Sequence, residues 1–104
     1  MELNQLQALS DGQKAKYMAY GRLFEHPSYK FLMEWAKSSV EEAQMRELNA
    51  ATWELVLVNR GARLAFIDVL NLETQVENEF SSLADEALRA AEEKEESQLE
   101  IDGV

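Results

Sequence analysis

The chain has 104 residues, no cysteine and a formal net charge of -10 at pH 7. That length fits one domain near the lower limit for a self-sufficient core, and the missing thiols exclude disulfides, thiolate metal sites and cysteine nucleophiles. Nearly half of the residues are apolar, which excludes a wholly disordered chain, and one Pro with four Gly leaves few helix breaks, as in an all-α protein.

Residues 2–9 are expected to form a short first helix, because Leu3, Leu6 and Leu9 recur every three positions. The opening Met1-Glu2-Leu3-Asn4-Gln5 has neither the basic start nor the apolar stretch of a signal peptide. Ser10-Asp11-Gly12-Gln13 matches a capping box and predicts a second helix from Asp11 to about Glu25. His26-Pro27 is the clearest boundary. Proline suits the first helical position because its missing N–H has no partner there, so His26 is expected to be the N-cap of a helix over 27–48. In that helix Phe31, Leu32, Trp35, Ala36, Val40 and Ala43 lie three and four apart. Asn49 is expected both to end it and to cap the next helix, which begins near Ala50 or Ala51.

From Ala50 to about Lys94 there is no Pro, and Gly61 is the one helix-weakening residue. Trp53, Leu57, Leu64, Ile67 and Leu70 share one face, and Val69, Val76, Leu83 and Ala90 then repeat every seven with Phe80 and Ala87 between them. A continuous helix of that length extends roughly 65 Å, so it is expected to protrude or to be covered by other chains; the alternative is a break at Ser81-Ser82, where Ser82 and Asp85 form a second capping-like pair. The expected fold is therefore all-α: a helical hairpin turning at Asn49, with an N-terminal helix and a long, protruding C-terminal helix. In the hairpin, Trp53 should fall near Met45, and Phe31 and Trp35 near Leu64 and Ile67. Surface at Val58, Phe66, Val69 and Val76 then remains, to be covered either by Met18, Tyr20, Leu23 and Phe24 or by other copies. Residues 1–91 are expected to make one helical domain and residues 92–104 an acidic C-terminal tail, with Leu99 and Ile101 as apolar anchors.

The charge is unevenly placed. From Glu73 onward eleven acids face only Arg89 and Lys94, a net of -9, whereas residues 1–72 carry nine acids and eight bases. An anionic end of this kind repels phosphate backbones and anionic lipid, so direct nucleic-acid or membrane binding is not expected. The longest apolar run near Trp53, Leu55-Val56-Leu57-Val58, is far short of the roughly 20 residues that cross a bilayer. The expectation is an intracellular protein without cofactor or metal.

Catalytic signals are sparse. His26 is the single histidine and already has a capping role. Glu-x-x-His pairs, calcium loops and glycine-rich phosphate cradles are absent from the sequence, and no nucleophile has a neighbouring base. Arg60 and Arg63, three apart on one helix face, are either solvated or a docking face for an acidic partner. Gly61 between them costs about 1 kcal/mol relative to Ala, which suggests close packing or a kink. The residues expected to bind a partner are Trp53, Arg60, Arg63, Phe66, Val69, Val76, Phe80 and Leu83.

His26-Pro27 opening a helix, Trp35, a break at Asn49, and Trp53-Glu54 leading to Arg60-Gly61-Ala62-Arg63 together resemble small helical proteins of tailed bacteriophages encoded among head-assembly and DNA-packaging genes. The resemblance covers about Phe24 to Leu72. It implies a non-enzymatic assembly or virion-associated protein, located in the host cytoplasm or the virion, that forms homo-oligomers or docks on larger phage structural proteins. The alternative from the acidic end is an inhibitor that binds a host nucleic-acid-binding protein by charge mimicry.

Overall fold

The computed structural model describes residues 1–102, with side chains through residue 99. The fold is all-α: α1 Leu3–Ala8, α2 Asp11–Glu25, α3 Pro27–Leu48, α4 Trp53–Leu70 and α5 Leu72–Asp102. Local capping chemistry sets most of these limits. The Gln13 N–H donates to Ser10 Oγ at 3.2 Å, while the Ser10 N–H donates to Gln13 Oε1 at 2.9 Å, so two orphan donors of α2 are satisfied reciprocally. His26 caps α3 through its ring: the Ser28 N–H donates to Nδ1 at 3.1 Å, with Pro27 behind it at the first helical position.

The next boundary differs from the sequence expectation. Asn49 ends α3 but does not open α4, because its side-chain amide donates backward to the Met45 carbonyl at 2.8 Å. Thr52 is the N-cap of α4 instead, its Oγ1 accepting from the Leu55 N–H at 3.2 Å, and the helix starts at Trp53 rather than at Ala50 or Ala51.

The uninterrupted helix over 50–94 is also corrected. It breaks at Asn71, where φ is -93° and ψ is 8° and the N–H returns to the Ile67 carbonyl at 3.0 Å. The alternative break at Ser81-Ser82 does not occur, since both serines lie inside α5. Asp85 does not close a capping pair with Ser82; its carboxylate accepts from Gln5 Nε2 at 3.1 Å.

Contacts divide the chain into two compact units, Met1–Gly21 together with the chain from Gln75 onward, and Arg22–Thr74. In the first, the core is Leu9, Val76, Phe80 and Ala84. Phe80 is 4% exposed and meets Tyr17 and Tyr20 at ring-centroid distances of 5.5 and 6.1 Å. Polar links tie the same elements: the Met1 α-amine lies 2.7 Å from Glu77, and the Tyr17 hydroxyl donates to that carboxylate at 2.6 Å. The Met1 amine first, and then Tyr17, holds the Glu77 carboxyl below its ordinary value. The hydrogen bond to Glu77, followed by burial and the carboxylate's charge, pushes the Tyr17 hydroxyl up to about 12.

The second unit is built on the α3–α4 hairpin. On the α3 side Tyr29, Ala36 and Ala43, seven apart, are buried, two of the three being small. Alanine at the crossing lets two helices approach closely. Tyr29 also meets Phe24 at 5.0 Å between ring centroids, and its hydroxyl is raised by burial and then by the Glu73 charge. The expected aromatic seam is thus only partly realised. Trp35 stands edge-on to Phe66 at 5.3 Å, whereas Phe31, Met45 and Trp53 remain mostly exposed.

Candidate functional site

The residues expected to bind a partner fall into three groups. Arg60, Arg63 and Trp53 form a cluster on α4, organised by a residue that the sequence reading did not select. Glu47, near the end of α3, accepts from Arg60 Nε at 2.8 Å through one carboxylate oxygen and from Arg63 Nε at 3.0 Å through the other. The hydrogen bond from Arg60, then that from Arg63, lowers the Glu47 carboxyl below its ordinary range. The Arg60 guanidinium also lies 5.7 Å from the Trp53 ring centroid. The two arginines therefore clamp the hairpin near its loop, with one carboxylate set against two cations. That contact was within reach of the sequence: Glu47 is the acid nearest the end of α3, and a hairpin turning through 49–52 brings it beside the second turn of α4.

Phe66 and Val69 form the second group. Both are half-buried on α4, and Phe66 carries the Trp35 ring. Around them the hairpin is conspicuously open. None of the 18 residues of α4 is buried, although the helix is apolar on most of its circumference. Trp35 is 56% exposed, and Phe31 and Val58 are 67% exposed. Of the large apolar residues that stay exposed, eleven lie in the unit Arg22–Thr74. With aromatic side chains carrying roughly 150–250 Å² each and aliphatic ones somewhat less, partial exposure leaves on the order of 1,000 Å² open in total, spread over both sides of the hairpin.

Val76, Phe80 and Leu83 form the third group, and their setting is different. The first two are buried within the unit that joins Met1–Gly21 to the chain from Gln75, where Phe80 meets Tyr17 and Tyr20 of α2, and Leu83 is half-buried. The stripe that the sequence offers to other copies thus has an intramolecular occupant. Its tight positions follow a four-residue step through Val76, Phe80 and Ala84, while Ala90 of the expected heptad is exposed. Leu99, expected as an anchor, is exposed, and the Ile101 side chain lies outside the described residues.

Among the described residues no group of three His, Asp or Glu side chains is placed to hold a metal ion, and no helix is long and apolar enough to cross a membrane. The depression lined by Ser38, Glu41, Glu42, Met45 and Arg46 is the surface of one helix, so it has a floor and no opposing wall. The His26 ring is occupied in its cap. No protein-family model, curated protein or solved structure matches this chain.

Proposed function

We propose that the chain is a non-enzymatic interaction protein that acts through its α3–α4 hairpin, by helix-mediated oligomerisation or by docking on a larger structural protein. The observation that carries this reading is the hairpin's unmatched apolar surface. Its seam contains one Tyr and two Ala as buried residues, while Phe31, Trp35, Trp53 and Val58 face outward. A helix that is apolar on most sides is at home inside an assembly rather than in water. The sequence resemblance over 24–72 adds a setting, phage head assembly, in which the partner is a capsid, portal or scaffold protein.

Chemical cross-linking in cells that express the chain together with its native neighbours tests the reading. Lys30 and Lys37 lie on α3 and report on the hairpin. Links from them to a second copy, or to one structural protein in fixed stoichiometry, support it. Links confined to the chain itself, with a monodisperse monomer in solution, refute it.

A further inference from the structure

Counting about 100° per residue, Leu55, Val58, Ala62 and Ala65 fall on the same side of α4 as Phe66. Trp35 marks that side on α3, because its ring meets Phe66 at 5.3 Å, and Phe31 lies one turn away. The hairpin therefore has one broad face with aromatics on the α3 edge and small or aliphatic residues on the α4 edge. We propose that this face is a self-association surface on which a second copy docks, so that two hairpins form a four-helix arrangement. The inference rests on the reading of the hairpin as the interacting part and names its occupant.

Three observations favour a second copy. The first is area. Eighteen residues of α4 at 1.5 Å each give about 27 Å, and two helix diameters give about 20 Å. Allowing for surface relief, such a face offers roughly 800 Å², the usual contribution of one partner to a stable interface. The second is shape. A two-fold axis along the hairpin brings α3 of one copy over α4 of the other, which places Trp35 against the shallow Ala62–Ala65 strip. Knobs and hollows are then supplied by one surface, as an isologous contact needs. The third is charge. Residues 27–70 carry five bases and six acids, whereas the chain from Gln75 onward carries ten acids and two bases. Two copies of a chain at -10 repel each other over most of their acidic surface, but meet at the hairpin with little penalty. Glu42 and Arg46, seven and eleven residues beyond Trp35 and so on the same side of α3, are of opposite sign and lie 3.8 Å apart.

The test is the mass of the full chain in solution against concentration, for wild type and two variants. Val58→Glu lies on the proposed face at an exposed position, where a helix-favouring residue leaves the monomer folded. Leu64→Glu lies on the other side of α4 at a comparably exposed position. A dimer is expected for wild type and Leu64→Glu, with dissociation raised about a hundredfold or more in Val58→Glu. Equal loss of dimer in both variants, or a dimer indifferent to Val58→Glu, overturns the proposed face. A wild-type monomer that binds an apolar dye, and loses the dye on Val58→Glu, overturns the second copy and leaves docking on another protein standing. A monomer that binds no dye overturns both.

Discussion

Phe80 offers the sharpest check on how α5 is covered. Among the described residues of its unit it is the largest buried core residue, at 4% exposure. Truncating a buried Phe to Ala costs about 3–5 kcal/mol from lost transfer energy and the cavity left behind. The two ring contacts, to Tyr17 at 5.5 Å and Tyr20 at 6.1 Å, place Phe80→Ala in the upper half of that range. Domains of this size have total stabilities of about 5–15 kcal/mol. A loss of ~4 kcal/mol therefore removes about a quarter or more of the margin and lowers the melting temperature by roughly 15–30 °C. The assay is urea and thermal unfolding followed by far-ultraviolet circular dichroism, at concentrations where the chain is monomeric. Phe31→Ala is the control, since that ring is 67% exposed and its removal should change stability by less than about 0.5 kcal/mol. If Phe80→Ala does not fold at all, Phe80→Leu should lose about 1–1.5 kcal/mol. Equal and small losses at Phe80 and Phe31 would refute the packing of α5 against α2.

Both units should contribute to the alkaline and the acid limbs of stability, through Tyr17 and Glu77 in one and Tyr29 and Glu47 in the other, and single substitutions isolate one group at a time. Tyr17 has its ordinary value at 10.0 and is raised to about 12, so its contribution is complete below pH 10 and is lost as pH rises toward 12; Tyr17→Phe should remove that alkaline loss, read by tyrosinate absorbance alongside unfolding. Glu47 is lowered from 4.5, so its contribution is present above pH 4.5 and is lost as pH falls through the depressed value. Glu47→Gln should flatten that acid limb in melts recorded against pH. Thr52→Ala should cost about 1 kcal/mol through the lost N-cap, with Thr52→Ser nearly neutral in the same melts.

How much of this was legible in the sequence depended on how local the deciding interaction is. Ser10 with Gln13 and His26 with Pro27 act within four residues, and both set helix limits as read. Asn49 and Asn71 show where that stops. Each has a ψ of 8° at a helix end, yet only Asn49 stands out in the sequence, because the apolar repeat runs straight through Asn71 from Val69 to Val76. Periodicity describes the face that is buried and is blind to a one-residue interruption. The hairpin seam was hidden for a related reason. α3 has two apolar stripes, one through Phe31 and Trp35 and one through Tyr29, Ala36 and Ala43, and α4 is too evenly apolar to choose between them. The smaller residues won the interior, since alanines permit a close approach that tryptophan does not. Of the residues expected to bind a partner, Arg60 and Arg63 sit with Glu47, a contact between helices that spacing along one helix does not reveal.

The acidic end of α5 can be argued from the same physical terms. Val76 to Ala84 is a packed helix, whereas every residue from Arg89 to Leu99 is exposed. Beyond Ala90, then, no burial holds the helix and it depends on its own propensity, which is marginal over so few residues. Charge works against it. Glu92 stands four residues from Glu96 and three from Glu95, and Glu93 stands three from Glu96, like-charge spacings that destabilise by about 0.2–0.5 kcal/mol each. Lys94 does not help, because its neighbours at three and four positions on either side are Ala90, Ala91, Ser97 and Gln98. Carboxylates also oppose the dipole at a helix C-terminus. Amides from Glu92 to Leu99 should therefore exchange with solvent orders of magnitude faster than those from Val76 to Ala84. Glu96→Lys, which converts the spacing to Glu92 into an attractive pair, should slow that exchange at low salt and much less at high salt. Equal protection along the whole of α5 in the isolated chain would show that the end is held by something other than its own helix, and would refute the argument from exposure and charge.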